Sequence, residues 1–330
     1  MIDYSHYLVD NNWLLIISKS WIREEILMTV LVTGGAGFIG SHTVDRLLEL
    51  NYSVRVLDNF SNGSRNNLPS DHDHLEIIEG DITDSGDVKA AMDGVDQCIH
   101  LAAQVSVVSS VEDASFSAQQ NILGYVNVIE AIRKFNVTRL VYASSAAAYG
   151  NPDELPLSES SMLLPESPYG LEKKVNEHYA ELFLSLHKMS ACGMRYFNVY
   201  GPRQDPKSPY AGVIALFVER IKSGQALTIF GDGLQTRDFI FVHDVAFANV
   251  AAMQCDYNGA CNVATGKTVT LLELIKILEE LCGTQVEKIF DTPREGDIVH
   301  SSANVEKMLN QLNYSSQIDL RTGLQSLLSE

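Results

Sequence analysis

The chain predicts an α/β fold: a doubly wound parallel sheet followed by a smaller α/β lobe. Three observations carry this. From Met28 onward, short apolar runs alternate with stretches of helical spacing, the order that lays helices on both faces of a parallel sheet. The runs are apolar almost throughout, as in strands covered on both sides. A glycine-rich turn joins the first run to the first helix.

Thr29 to Thr33 is the first strand, and Ile39 to Leu50 places Val44, Leu47 and Leu48 on one helical face. Ser53 to Asp58, Leu75 to Glu79, Asp96 to Leu101 and Arg139 to Ser144 read as further strands. Glu112 to Lys134 reads as one long helix, and Leu171, Val175, Tyr179, Leu182 and Leu186 mark another. After Gly201 the pattern changes, with Pro202, Pro206 and Pro209 close together and Gly231 and Gly233 flanking Asp232. The expected division is a nucleotide-binding domain over 29–200 plus roughly 238–265. A substrate lobe would comprise 201–237 and 266–330. Residues 1–28 stand apart. They are either a helical extension docking through Trp13, Leu14, Ile17 and Trp21, or a stretch before a true start at Met28, and they carry no assigned chemistry.

Composition excludes several functions. Of 330 residues, 24 are Lys or Arg and 42 are Asp or Glu, a net charge of −18. Nucleic acid needs a basic face, and an anionic membrane repels such a chain. No apolar run approaches the ~18 residues of a membrane span. Cys98, Cys192, Cys255, Cys261 and Cys282 are odd in number and scattered, as expected of reduced thiols in a cytoplasmic protein. His100, His243 and His300 are too isolated for a metal site, and none is expected.

Thr33-Gly34-Gly35-Ala36-Gly37-Phe38-Ile39-Gly40 places glycines at 34, 37 and 40 between strand and helix. They allow a tight turn, close backbone approach to a pyrophosphate, and close helix–strand packing. The pyrophosphate would rest on the open N–H groups of the helix N-terminus. Asp58 ends the second strand, 18 residues past Gly40. A carboxylate there binds adenosine ribose hydroxyls and repels a 2′-phosphate, so NAD is preferred over NADP.

Tyr169 and Lys173 lie one helical turn apart, in Ser167-Pro-Tyr-Gly-Leu-Glu-Lys173. A free tyrosine is a poor base at neutral pH. Lowering its pKa by about three units needs about 4 kcal/mol of differential stabilisation, which a nearby ammonium and a nicotinamide cation favour. Ser144 and Ser145 end the preceding strand, on the side where such sheets bind ligands. Both are expected to face the glycine-turn crevice, where a hydroxyl can relay a substrate proton.

These motifs, with Gly80-Asp81-Ile82, His100-Leu-Ala-Ala and Asn121, together resemble the extended short-chain dehydrogenase/reductases, whose fold is of Rossmann type. Arg195-Tyr-Phe-Asn198-Val-Tyr-Gly-Pro-Arg203, Gly231-Asp-Gly-Leu-Gln-Thr-Arg237-Asp and Arg294-Glu-Gly-Asp297 resemble more narrowly the nucleotide-sugar 4-epimerases of the UDP-glucose/UDP-N-acetylglucosamine type. The resemblance spans Met28 to the C-terminus. It implies Tyr169 as base, Lys173 as its partner and Ser145 as hydroxyl relay. It implies cofactor contacts from Phe38, Ile39, Asn59, Ser61, Gly63, Asp81, Ile82, Ala102, Ala103, Gln104 and Asn121. Ser144, Asn198, Val213, Arg237, Arg294 and Asp297 would bind the nucleotide sugar, and two arginines suit a diphosphate. The implied reaction is transient oxidation at C4′ by bound NAD, then return of hydride to the other face of a 4-keto sugar.

Dehydratases of this family carry Thr-Asp-Glu after the strand and decarboxylases a Glu two positions on, whereas Ser145 is followed by Ala146, Ala147 and Ala148. That favours epimerisation over those siblings. Only the two nucleotide-clamping arginines oppose a net oxidoreductase releasing NADH, and intact Ser145, Tyr169 and Lys173 oppose a non-catalytic NAD-binding scaffold. Ser301 lies seven positions after Arg294, where relatives restricted to plain hexoses often place a tyrosine. A small residue there leaves room for an N-acetyl group. The resemblance also implies a homodimer through a four-helix bundle made by the two long helices. The base (uracil or thymine) and the pathway (galactose metabolism or polysaccharide biosynthesis) stay open.

Overall fold

The computed structural model describes residues 27–152, 154–206, 212–293 and 298–329. Residues 1–26, Arg294 and Asp297 lie outside them. The elements in chain order are β1 (Thr29–Thr33), α1 (Phe38–Glu49), β2 (Ser53–Asp58), β3 (Leu75–Glu79), α2 (Ser85–Met92) and β4 (Gln97–His100). Then come α3 (Val107–Glu112), α4 (Ala114–Ala118), α5 (Gly124–Phe135), β5 (Arg139–Ser145), α6 (Pro168–His187), β6 (Ala191–Tyr196) and β7 (Asn198–Tyr200). The remainder is α7 (Val213–Lys222), β8 (Leu227–Phe230), β9 (Thr236–Arg237), β10 (Phe239–Phe241), α8 (Val242–Gln254), β11 (Gly259–Val263), β12 (Val269–Thr270), α9 (Leu271–Cys282), β13 (Lys288–Asp291), α10 (Glu306–Leu312) and α11 (Leu320–Ser329).

Seven strands form one parallel sheet in the order β3-β2-β1-β4-β5-β6-β11. This is the Rossmann arrangement expected above. The order reverses between β1 and β4, and such a switch point opens a crevice at the carboxyl ends of the strands. Alternation of side chains along each strand divides the core. Val30, Val32, Val54 and Val56 meet Val44, Leu47 and Leu48 of α1 and Val245, Ala248 and Met253 of α8. Leu31, Leu57, Cys98 and Leu140 meet α2, α5 and α6 through Met92, Ile129, Ile132 and Phe183. A separate cluster of Phe217, Leu227, Ile229, Phe239, Leu274 and Leu278 builds the later lobe, where β8 pairs with β13 and β9 with β12.

The expected helix from Glu112 to Lys134 is not continuous. Helix starts earlier, at Val107, and breaks at Asp113, whose side chain accepts from Phe116 N and caps α4. One π turn (Gln119–Leu123) then leads into α5. Apolar spacing did not reveal either feature, because a capping aspartate and an inserted residue leave the stripe intact on both sides.

The second long helix is inside out. Its apolar residues Leu171, Leu182 and Leu186 are exposed, the last to 63%. Its buried face carries Glu172, Lys173, Asn176 and Glu177 beside Ala180 and Phe183. The periodicity located α6 correctly but marked its outer side.

Two histidines tie the sheet side to its surroundings. His42 Nε2 donates to Pro202 O (3.0 Å), and His100 Nδ1 pairs with Thr33 Oγ1 (2.7 Å). Burial pushes His42 down to about 4. Burial, helped by the Lys173 ammonium, pushes His100 down to about 3. The unfolded chain, with histidines near ~6.5, therefore binds more protons than the folded chain below that value. Stability should be full above about pH 6.5 and fall as pH drops toward the folded values, by on the order of a few kcal/mol. Urea midpoints measured between about pH 7 and about pH 5, above the range where most carboxylates titrate, should decline. His42→Asn should flatten part of that slope. A midpoint constant across this window would contradict neutral buried rings.

Candidate active site

The glycine turn is built by close approach. Gly34 has φ +69°, and a Cβ on it would lie 2.6 Å from Ala102 N. A Cβ on Gly40 would lie 2.0 Å from Gly34 O. Side chains at these two positions would push β1 away from β4 or open the turn. Gly37 caps α1 without any side-chain acceptor, so the first helical N–H groups, at Phe38 and Ile39, have no capping side chain and are suited to an anion.

Asp58 is 7% exposed, and its two oxygens accept from Ala36 N and Phe60 N, each at 2.8 Å. Each carboxylate oxygen keeps a further lone pair for a ribose hydroxyl. The following loop is pinned to the turn: Ser64 N donates to Ala36 O (3.0 Å), and Gly63 packs on that same carbonyl group. Asn59 Oδ1 accepts from Ser61 N and Oγ, and Asn59 Nδ2 donates to Asp81 Oδ2 (2.8 Å). Burial pushes the Asp81 carboxyl up, but donors from Thr83 and Asn59 outweigh it and hold it below the ordinary value. Ile82 is buried against Gly124. These residues line the rim where an adenosine would sit.

Across the crevice, Ala102 and Ala103 are partly exposed and Gln104 is buried. Asn121, in the π turn, clamps the Gln104 main chain: its Oδ1 accepts from Gln104 N and its Nδ2 donates to Gln104 O, both at 2.9 Å. Gln104 Nε2 donates to Ser106 O, while Gln104 Oε1 is buried without a partner among the described residues. That atom, the glycine approach, the uncapped helix and Asp58 fit an NAD molecule laid across the switch point. Phe38, Ile39, Asp58 and Gln104 would hold it.

Tyr169 and Lys173 stand at the start of α6, above the same crevice. The Tyr169 phenol faces Ser145, which favours its ionisation, and Lys173 Nζ lies 5.6 Å from the Tyr169 ring centroid and donates to Ala143 O (3.1 Å). Burial pushes the phenol up; Ser145 works against this and Glu172 adds to it. The protein by itself thus raises the phenol; the lowering expected above includes a nicotinamide cation beside it. Burial pushes Lys173 down to about 8, with Glu172 opposing. Ser145 also accepts from Ala147 N (3.1 Å) and so caps the short turn Ala146–Ala148.

Ser144 does not share this position. It is 2% exposed, and its Oγ donates to Glu177 Oε1 (2.5 Å). Consecutive residues of a strand point to opposite faces, so only one of the two serines can reach the crevice. Glu177 is in turn clamped by Arg195, Nε to Oε1 at 2.9 Å and Nη2 to Oε2 at 2.6 Å. This buried network and Glu172 were missed in the sequence, because their partners lie up to 55 residues away.

Beyond β7, a cavity of about 300 Å³ is lined by Asn198, Val213 and Arg237, three of the expected substrate residues. Thr228, Phe230 and Gln235 share it and were not foreseen; Gln235 stands in the Gly231–Asp238 run and was legible there. Asn198 is held at Asp238 O through its N and Nδ2. Ser301 is buried beside Arg237: Ser301 N donates to Thr236 O (3.1 Å), and Arg237 Nη1 donates to Val299 O (3.4 Å). Among the described residues no group of three or more His, Cys, Asp or Glu could hold a metal. No described helix is long and apolar enough to cross a membrane.

Comparison with known proteins agrees with this geometry. The family model for the NAD dependent epimerase/dehydratase family matches residues 30–264. A putative UDP-glucose 4-epimerase of Methanocaldococcus jannaschii is 42% identical over 302 residues, 91% of this chain and 97% of that protein. The structure of UDP-N-acetylglucosamine 4-epimerase from Methanobrevibacter ruminantium, in complex with UDP-N-acetylmuramic acid, superposes with a TM-score of 0.89 at 37% identity, covering 92% of this chain and 97% of that one. UDP-glucose 4-epimerase of Thermus thermophilus, in complex with NAD, gives 0.85 at 35% identity, covering 92% and 98%. The chain belongs to the NAD-dependent epimerase/dehydratase family.

Proposed function

We propose that this protein is an NAD-dependent 4-epimerase of UDP-hexoses, taking UDP-glucose/UDP-galactose and also the N-acetylated pair. The observation that carries the reading is the Tyr169 phenol with Lys173 beside its ring, facing Ser145 at the carboxyl end of β5. In this reading the lobe of 201–237 and 266–330 holds the substrate. The cavity at Asn198, Val213 and Arg237 takes the nucleotide.

The chemistry that NAD supplies when bound is reversible acceptance of a hydride beside a positive charge. Tyr169 Oη removes the proton of the 4′-hydroxyl, directly or through Ser145 Oγ, and gives it back after the 4-keto sugar has turned its other face. Lys173 stabilises the phenolate while it remains an ammonium. The turn after Ser145 is three alanines capped by that serine, so no carboxylate stands there to protonate a leaving hydroxyl or assist decarboxylation. Net redox of this cycle is zero, so the cofactor can stay bound. The five cysteines are free thiols, three of them buried, which supports a cytoplasmic enzyme.

The outer stripe of α6 with Val107, Val108 and Val111 of α3, the last 65% exposed, supports a homodimer through paired helices. Such a patch on one chain favours a second copy over water.

Three outcomes test these statements. Chromatography of products should show UDP-glucose and UDP-galactose interconverting without NADH build-up, and Tyr169→Phe should cut kcat by about 10²–10⁴-fold; steady NADH release would favour the oxidoreductase instead. Ser301→Tyr should abolish turnover of the acetylated pair while sparing the plain pair, and equal loss on both would refute a gating role. Leu186→Asp should move the protein from dimer to monomer in size-exclusion chromatography, and no change in elution would remove α6 from the interface.

A further inference from the structure

We infer that Glu172 is a positioning residue for the Tyr169–Lys173 pair, bracing α6 against the π turn and the β4 crevice while setting a buried negative charge beside both side chains. The inference rests on the epimerase reading above. Glu172 follows Tyr169 by three positions and precedes Lys173 by one, yet it is 3% exposed, on the inner face of α6. A carboxylate in such a place is costly unless hydrogen-bonded. Its Oε2 accepts from Ser117 Oγ (2.8 Å) and from Asn121 Nδ2 (2.6 Å). Asn121 holds the Gln104 main chain by two bonds. One side chain thus joins α4, the π turn, the loop after β4 and the helix that carries the base. The start of α6 is tied to the same segment again by Tyr169 N, which donates to Ser110 Oγ of α3 (3.2 Å).

The donors to Glu172 are a hydroxyl and an amide, whereas Glu177 is paired with Arg195. These neutral donors leave the field of the carboxylate acting on the side chains next to it, weakly screened inside a protein. It favours the ammonium on Lys173, against burial, and it opposes ionisation of Tyr169. The other titratable groups around the pair do not mask this. His100 of β4 stays neutral down to about 3. The phenols of Tyr125 of α5, Tyr142 of β5 and Tyr196 of β6 are all raised by burial. Glu177 is matched by Arg195 of β6, and Glu112 and Asp113 of α3–α4 are exposed. The arrangement gives the epimerase a phenol that is protonated at rest and an ammonium that survives burial.

The test separates charge from brace. Glu172→Gln keeps an oxygen for Ser117 and Asn121 but removes the charge. Both limbs of the pH profile of kcat/KM should move to lower pH. Tyrosinate absorbance of the holoprotein, taken as the difference from the same protein carrying Tyr169→Phe, should show residue 169 ionising at lower pH, with no substrate needed. Limbs and titration that stay in place would overturn the electrostatic role. Ser117→Ala retains the charge and loosens the brace; kcat should fall, by up to about a hundredfold, with KM and both limbs unmoved. An unchanged kcat would overturn the bracing role, and does so even if Glu172→Gln does not fold. A protein that converts no UDP-hexose refutes the epimerase reading, and the tyrosinate titration then decides on Glu172 alone.

Discussion

The buried Glu177–Arg195 ion pair determines where α6 stands, and through it the position of every reacting group. Both side chains are almost completely buried, and the pair is bidentate. Two desolvated charges in contact add little net stability, but separating them leaves a buried charge at a cost of about 3–5 kcal/mol. A helix shift that broke this geometry is therefore strongly opposed. Ser144 donates to the same carboxylate, so the end of β5 is locked to the same point. The next residue, Ser145, points to the opposite face by strand alternation, toward Tyr169, and is held there by accepting from Ala147 N.

The opposite wall of the crevice is set by steric exclusion rather than by charge. Gly34 allows β1 to close on Ala102 at a distance that no side chain permits. Asp58 closes the turn from the side by accepting two backbone N–H groups. The cleft therefore has one wall fixed by an ion pair and one by the absence of Cβ atoms, with neither dependent on the later lobe. That division suits a site in which the cofactor stays bound while the sugar turns: the crevice walls belong to one sheet, and the cavity at Asn198 and Arg237 is assembled from separate elements, β7, α7, β8 and β9.

Much of this was legible in the sequence, and the limits have physical causes. The first strands ended within a residue of expectation because parallel buried strands are short, apolar and bounded by turns. The glycine turn, Asp58, Tyr169 and Lys173 were legible because their spacing along one chain is itself the chemistry. The break at Asp113, the π turn and the outward stripe of α6 were hidden, since apolar periodicity reports that a face is apolar and not what covers it. Ser144 was misplaced because two adjacent serines look alike until the strand assigns them opposite faces. Glu172 carried no assignment in the sequence; Ser117 and Asn121, folded against it from another segment, hold it inside.

The inverted polarity of α6 connects these points. A helix that buries Glu172, Lys173, Asn176 and Glu177 and exposes three leucines is unfavourable in isolation, because polar groups lose water and apolar groups keep it. Two compensations restore the balance. Inside, each buried charge meets a hydrogen-bond partner or an opposite charge from β5, β6, α4 or the π turn. Outside, the leucine stripe is continuous in character with the valines of α3, and a second copy of the chain would remove both from water. The second compensation bears on the first. The segment Val107–Ala118 carries the outer valines on one side and, on the other, Ser110 and Ser117, which hold Tyr169 N and Glu172. Covering its outer face would restrain the same turns that hold the base in place, so association and precision of the catalytic helix draw on a single short segment of chain.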